Sequence, residues 1–214
     1  MIDASYWDAK FDTDEFIYTK EANRFVRELA TPLIEARAQK ARAPRAKVID
    51  LAGGEGRNAV WFAEQGWQAE NIDFSKAALS KALKFAERRG VSDLYFAHVA
   101  DATGFESVLT PVDVGVIAYL QASNEDIFDA IDCLVENIKK GGYLIGVWHA
   151  RENLQGGFGG PQDPAVLPTA SELAEFLAEL PVEVEVLENR DGQIQTKEGL
   201  KPSVTLVLKA RITA

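Results

Sequence analysis

The sequence predicts a doubly wound α/β fold: a seven-stranded, mostly parallel sheet of Rossmann-like type, closed by a C-terminal antiparallel hairpin. Three observations predict it. From residue 47 to residue 179, apolar segments of strand length alternate with amphipathic segments of helix length. Residues 112–119 form a nearly continuous apolar run, the pattern of a parallel strand covered on both faces. Two further strand-like segments, 182–188 and 204–208, follow each other across a polar loop, which suits a hairpin rather than another crossover.

The elements follow in order. Residues 21–38 set Phe25, Val26, Leu29, Leu33 and Ile34 on roughly one face, an amphipathic helix that contains Pro32. Strand one is expected at about 47–51 and its helix at about 57–65. Strand two covers 67–73, and Ser75 caps a helix that runs to Arg89 and ends at Gly90. Strand three runs from Leu94 to Val99, and strand four from Val112 to Tyr119. Ser123 and Asn124 offer caps for a helix through Ile138, and Gly141-Gly142 turns the chain into strand five, Tyr143 to Trp148. A loop rich in Gly and Pro, 155–168, leads into a helix at about 169–179 and then the hairpin. The reading is one compact unit, with residues 1–40 as a helical lid segment and 41–214 as the ligand-binding domain.

Composition narrows the function classes. The 214 residues carry 33 acids against 23 Lys and Arg, a net charge of −10, which opposes long-range attraction to nucleic acid or anionic membrane. The one basic cluster, Arg37, Lys40, Arg42, Arg45 and Lys47, reads as a solvated helix end. Cys133 is the only cysteine, so no internal disulfide and no cysteine-rich metal site is expected; among Ile131, Leu134 and Val135 it reads as a buried structural thiol. The acidic start of the chain lacks a signal-peptide pattern, and no apolar run approaches a membrane span. The expectation is a soluble cytoplasmic protein.

Chemistry concentrates in residues 47–59. A short strand ends in Asp50 and enters a glycine-rich turn that opens a helix. Gly54 and Gly56 let the backbone approach a ligand, and the free N–H groups of the helix favour a polar or negative group there. Strand two ends in Asp73, placed to accept from ribose hydroxyls. Gly54-Glu-Gly-Arg-Asn-Ala59 satisfies the loose dinucleotide pattern, so a nicotinamide cofactor is one reading. Three features favour S-adenosyl-L-methionine (SAM). Asp50 suits an ammonium and would repel a pyrophosphate; Asp101, after strand three, suits an adenine amine; and no second domain remains for a hydride acceptor.

Asp50-Leu-Ala-Gly-Gly-Glu-Gly-Arg-Asn-Ala59, with Ile72-Asp73-Phe74-Ser75, resembles the class I SAM-dependent methyltransferases, within them the small bacterial enzymes related to the tellurite-resistance and thiopurine methyltransferases. Trp7, Tyr18-Thr-Lys-Glu-Ala-Asn23-Arg-Phe25, Gly141-Gly142-Tyr143 and Gly159-Gly160-Pro161-Gln162-Asp163 extend the resemblance over most of the chain. The departures are Ala52 for the first glycine of the usual Asp-x-Gly-x-Gly-x-Gly, Thr19 and Ala22 for a Gly and a Pro, and no histidine in residues 192–199.

The resemblance implies a cofactor site of Tyr18, Asp50, Ala52, Gly54, Gly56, Asn58, Asp73, Phe74, Asp101, Ala102 and Tyr119. In it Asp50 orients the ammonium directly or through water, Asp73 the ribose, and Asp101 with the Ala102 N–H the adenine. Phe74 packs beside the adenine ring, Tyr18 closes as a lid, and Tyr119-Leu120-Gln121 lies under the methyl group. His149, after strand five, is the candidate base or substrate contact; His98 reads as structural. Trp148, Phe158 and the loop at 156–160 suggest a pocket for a small-molecule methyl acceptor, with no nucleic acid, membrane or metal. The competing functions are a SAM-binding protein without turnover and a NAD-dependent oxidoreductase. The acceptor and the oligomeric state stay open.

Overall fold

The computed structural model describes residues 4–39, 43–196 and 198–214. Lys40 and Arg42 of the basic cluster lie outside the described residues. Of the cluster's remainder, Arg37 is in the last turn of a helix and Lys47 donates through Nζ to the Leu109 carbonyl at 3.0 Å.

Two helices, α1 (Ala4–Phe11) and α2 (Arg24–Ala38), precede β1 (Lys47–Leu51), α3 (Arg57–Glu64), β2 (Gln68–Asp73), α4 (Lys76–Arg88) and β3 (Tyr95–Val99). Then come β4 (Val112–Ala118), α5 (Asn124–Asn137), β5 (Ile138–His149), α6 (Ala170–Leu177), β6 (Val182–Thr196) and β7 (Gly199–Ile212). The sheet order is β3-β2-β1-β4-β5-β7-β6; β1 to β5 are parallel, and β7 runs antiparallel to both β5 and β6. This is the doubly wound sheet with a terminal hairpin that the sequence predicts.

The capping signals hold. The Ser75 hydroxyl accepts from Ala78 N, the Ser123 hydroxyl from Asp126 N, and Thr169 with Glu172 forms a full capping box. Alternation along each strand feeds two cores, one on each face. Val48, Ala69, Val116 and Val147 pack against Phe25, Val26, Phe62 and Phe85 of α2, α3 and α4. Ile49, Ile72, Ile117 and Leu144 pack against Ile127, Ile131, Leu134, Leu173 and Leu177 of α5 and α6.

Three expectations change. The helix α1 is absent from the sequence reading. It is held from outside itself: Trp7 stacks on Phe11 at 5.6 Å, and Asp8 Oδ1 accepts from Ser75 Oγ at 2.6 Å and Ala77 N at 3.1 Å. Strand five starts at Ile138, before the glycine pair, which falls where its register against β4 shifts. Cys133 is half-buried rather than buried, because it faces Thr103, whose carbonyl its thiol meets at 3.2 Å, while Ile131 and Leu134 turn inward.

The hairpin is longer than predicted. The β5–β7 pairing runs from Tyr143↔Arg211 to His149↔Thr205, whereas β6–β7 continues to Thr196↔Gly199. Beyond Thr205 the two strands therefore overhang the sheet as a ribbon. Loop backbone bonds to it, with Ala150 N donating to Val204 O at 3.1 Å and Phe158 N to Pro202 O at 2.9 Å.

Candidate functional site

The carboxyl ends of β1, β2 and β3, adjacent in the sheet, bring Asp50, Asp73 and Asp101 to one edge. Ligands of doubly wound sheets bind at this edge. Between the first two acids runs the glycine turn. Its residues divide into those that face the protein and one that faces out. A Cβ on Gly53 would stand 2.2 Å from Asn71 Oδ1 and 2.7 Å from Asp50 Oδ2; one on Gly56 would stand 2.6 Å from Tyr95 Oη and 2.9 Å from Ala82 Cβ. Gly56 is therefore required by packing, in addition to its φ of +82°, and not by ligand approach. On Gly54, φ +55°, the nearest atoms to such a Cβ are Phe11 Cζ at 3.6 Å and Asp73 Oδ2 at 4.0 Å. That outer face is the part of the turn left for a ligand. Ala52, in the place of the family's first glycine, is held at φ +53°, a conformation that costs an L-residue about 1–2 kcal/mol.

Asp50 has no exposed surface. Its Oδ2 accepts from Ala59 N at 3.1 Å, and its Oδ1 lies 3.4 Å from Asn58 Nδ2. It thus holds the N-terminus of α3 from beneath; of the two routes to a ligand ammonium expected from the sequence, direct or through water, the direct one is closed in this arrangement. Burial pushes its carboxyl up to about 6, against the bonds from Asn58 and Ala59 that lower it. Asn58 is also buried and accepts from Asn23 N at 2.9 Å, so it ties the N-terminal segment to the turn. Asp73 turns inward, accepting from Gly54 N and Ser75 N, each at 2.8 Å; burial raises it too, to about 6.

Phe74 is half-buried and packs into neither core, leaving its ring at the edge beside Asp73. Asp101 is exposed, with Oδ1 accepting from Thr103 N at 2.9 Å and Thr103 Oγ1 at 2.8 Å, while Ala102 packs against the second core. Tyr18 is 43% exposed, and its hydroxyl accepts from Lys10 Nζ at 3.0 Å.

Glu55, between the two glycines, is the residue that sequence reasoning passed over. It is 5% exposed, accepts from Ile17 N and Tyr18 N at 3.1 and 3.2 Å, and pairs with Lys81 Nζ at 2.9 Å. Lys81 in turn donates to Thr13 Oγ1 and the Glu15 carbonyl. Residues 4–23 are thereby strapped across the glycine turn, with Phe11 against Gly54. A lone acid inside a glycine run was the only signal available for this.

A second group forms past β4 and β5. Tyr119 sits at φ +62°, where a bulky residue is a genuine outlier and a mark of stored strain. Its ring lies 4.6 Å from that of His149, and the Arg57 guanidinium carbon is 5.8 Å from the Tyr119 ring centre. Tyr119, Leu120, Gln121, Trp148, His149, Pro161, Val166 and Leu167 line a narrow cavity. His149 is held below its usual range by burial and then by Arg57. Phe158 is 42% exposed and lies outside this lining. His98 makes its contact elsewhere, with buried Glu70 at 3.2 Å, in a network that also fixes Ser107 and Leu109. Among the described residues no group of His, Cys, Asp or Glu is arranged to hold a metal ion, and no helix is long and apolar enough to cross a membrane.

Residues 48–142 match the methyltransferase-domain family. Over 69 residues the chain is 39% identical to the tRNA 5-carboxymethoxyuridine methyltransferase of Escherichia coli (strain K12), a match that covers 32% of this chain and 26% of that protein. The chain thus spans about a quarter of the length of the curated relatives it matches. TehB from Haemophilus influenzae shares the fold at a TM-score of 0.68 and 17% identity, covering 98% of this chain and 67% of that one. Magnesium protoporphyrin IX methyltransferase (ChlM) from Synechocystis PCC 6803 with bound SAM shares it at 0.67 and 14%, covering 99% and 95%. At these identities the solved structures establish the fold.

Proposed function

We propose that the chain is a class I SAM-dependent methyltransferase that binds SAM along the ends of β1 to β3 and transfers the methyl group to a small-molecule acceptor beyond β4 and β5, a reading supported by the methyltransferase-domain match over residues 48–142 and by the shared fold. One observation carries the reading: three acids end three adjacent strands around a turn whose single outward glycine is Gly54. The protein's own side chains crowd Gly53 and Gly56, while at Gly54 the nearest atoms, Phe11 Cζ at 3.6 Å and Asp73 Oδ2 at 4.0 Å, stand at ordinary contact distance, so this glycine is where the group has room.

In this reading the outer face of Gly54 takes the methionine part and Asp73 takes the ribose hydroxyls on lone pairs not used by Gly54 N and Ser75 N. Asp101 and the Ala102 N–H read adenine, with Phe74 beside its ring. Asp50 acts through the turn by fixing α3, and the Glu55 strap with Tyr18 shields the site from water. Bound SAM supplies an electrophilic methyl group on a sulfonium. What remains for the chain is alignment and exclusion of water. Tyr119, pinned by its N–H to Val147 O at 2.8 Å, offers a rigid floor. Burial, and then Arg57, hold His149 below its usual range and favour the neutral imidazole, and its buried Nδ1 has no partner among the described residues, which suits a base for acceptors that must lose a proton. The narrow cavity and the net charge of −10 support a small acceptor over a nucleic acid.

Calorimetric titration with S-adenosylhomocysteine, SAM and NAD, on wild type and Asp73→Ala, tests the cofactor. Binding of the two adenosyl ligands, weakened at least about tenfold in the variant (about 1.4 kcal/mol) and absent for NAD, is expected. Binding of NAD alone overturns the reading. Methyl transfer from labelled SAM across an acceptor panel then separates an enzyme from a protein that only binds SAM.

A further inference from the structure

We infer that the methyl acceptor carries an anionic group, a carboxylate being the planar case, and that Arg57, Trp148 and His149 form its receptor. This rests on the cofactor reading above and adds the charge of the second substrate.

Arg57 opens α3, directly after the glycine turn, and leans over Tyr119 at 5.8 Å. It is half-buried, and among the described residues its side chain forms no ion pair and no hydrogen bond. Arg89, Arg151, Arg190 and Arg211 have carboxylate partners, whereas Arg57 has only a through-space interaction with the buried Asp50 carboxylate. A guanidinium left without a partner beside a ligand site is available to the ligand, and its fork matches a carboxylate at two points.

Two further polar groups at the same place are unspent. The Trp148 indole N–H is a donor only, sits in a residue 1% exposed, and has no partner; His149 Nδ1 is likewise buried and unpartnered. Buried polar atoms are normally paired, and two orphans lining one cavity point to a ligand that completes them. No acid lines that cavity. An obligate donor and an imidazole line the cavity, and the Arg57 guanidinium stands 5.8 Å from the ring centre of Tyr119, which also lines it; together they favour an acceptor of negative charge. The cavity holds only about 10 Å³ as it stands, so the acceptor enters only if the wall formed by Pro161, Val166 and Leu167 gives way to it. Gly159 and Gly160, both at positive φ, stand at the head of that wall.

The test uses benzoate and its neutral counterpart benzamide as probes, titrated into the full chain after its S-adenosylhomocysteine affinity has been measured. Benzoate is expected to bind at least about tenfold more tightly than benzamide, a preference of about 1.4 kcal/mol. Arg57→Met is expected to abolish that preference, and Arg57→Lys to restore part of it by charge without the fork. In NMR titrations, bound benzoate raises the His149 pKa in wild type and not in Arg57→Met, and the amide dispersion of the variant in the same spectra shows that it is folded. Equal binding of the two probes, binding of neither, or a preference that survives Arg57→Met overturns the proposal. Loss of S-adenosylhomocysteine binding in wild type instead overturns the cofactor reading, and the benzoate preference of the unliganded protein still reports on the receptor.

Discussion

The carboxylate of Asp50 is predicted to weaken the fold at neutral pH, and Asp50→Asn to strengthen it. Asp50 is fully buried, and burial raises its pKa from 3.8 to about 6. A rise of that size corresponds to about 3 kcal/mol, at 1.36 kcal/mol per tenfold change in proton affinity. The folded chain holds the proton more tightly than the unfolded chain does. The stability linked to it is therefore complete below about pH 4, falls as pH rises through about 6, and stays lost above. An asparagine removes the charge and still accepts from Ala59 N. It also sets an amide near Asn58 Nδ2, 3.4 Å from the present Oδ1, which returns about 1 kcal/mol of the gain. The expected net is about 2 kcal/mol of added stability near pH 7.5, reversing to a loss of about 1 kcal/mol toward pH 4. Urea unfolding of both proteins across that range, with unchanged m-values, reads it directly. A variant less stable than wild type near pH 7.5, or one whose offset does not vary with pH, refutes the argument: the helix N-terminus would then more than offset the cost of burying the charge.

Two further perturbations separate packing from binding. Gly56→Ala drives a Cβ within 2.6 Å of Tyr95 Oη and 2.9 Å of Ala82 Cβ at φ +82°, and is expected to cost about 3 kcal/mol or more in thermal or urea unfolding. Gly54→Ala has room and pays only its φ, about 1–2 kcal/mol, yet should abolish S-adenosylhomocysteine binding in calorimetry; equal effects of the two on stability would contradict the division. Glu55→Gln weakens the strap by removing the charge that pairs with Lys81. Dissociation of S-adenosylhomocysteine should quicken about tenfold while amides of residues 4–23 exchange faster, and unchanged exchange there would show that Glu55 does not hold the segment.

What was legible in the sequence was what is local. The strand–turn–helix from Lys47 to Asp73, the caps at Ser75 and Ser123, and the terminal hairpin all follow from spacing and cap chemistry among near neighbours. What escaped depends on contacts between distant residues. The helix α1 has a weak apolar stripe of its own and exists because Asp8 bonds the start of α4, 67 residues on. Glu55 looked like filler between glycines until Ile17 and Tyr18 are brought onto it. Gly56 fitted a ligand-approach pattern, but its neighbours in space, Tyr95 and Ala82, require it first. Asp50 ended a strand as expected, and its complete burial depends on how tightly α3 closes over it.

The overhanging ribbon of β6 and β7 divides the labour of the site between two stretches far apart in the chain. It braces the loop after β5: Val204 N donates to Asn153 Oδ1 at 2.7 Å, Asn153 Nδ2 to the Gly159 carbonyl at 2.9 Å, and Ile194 occupies the space beside Gly159. The glycine turn, by contrast, is gripped by residues 8–23. In the proposed reading a change in the ribbon bears first on the acceptor end of the site, and reaches the donor end only through α2, where Arg190 of β6 pairs with Glu28 at 2.7 Å.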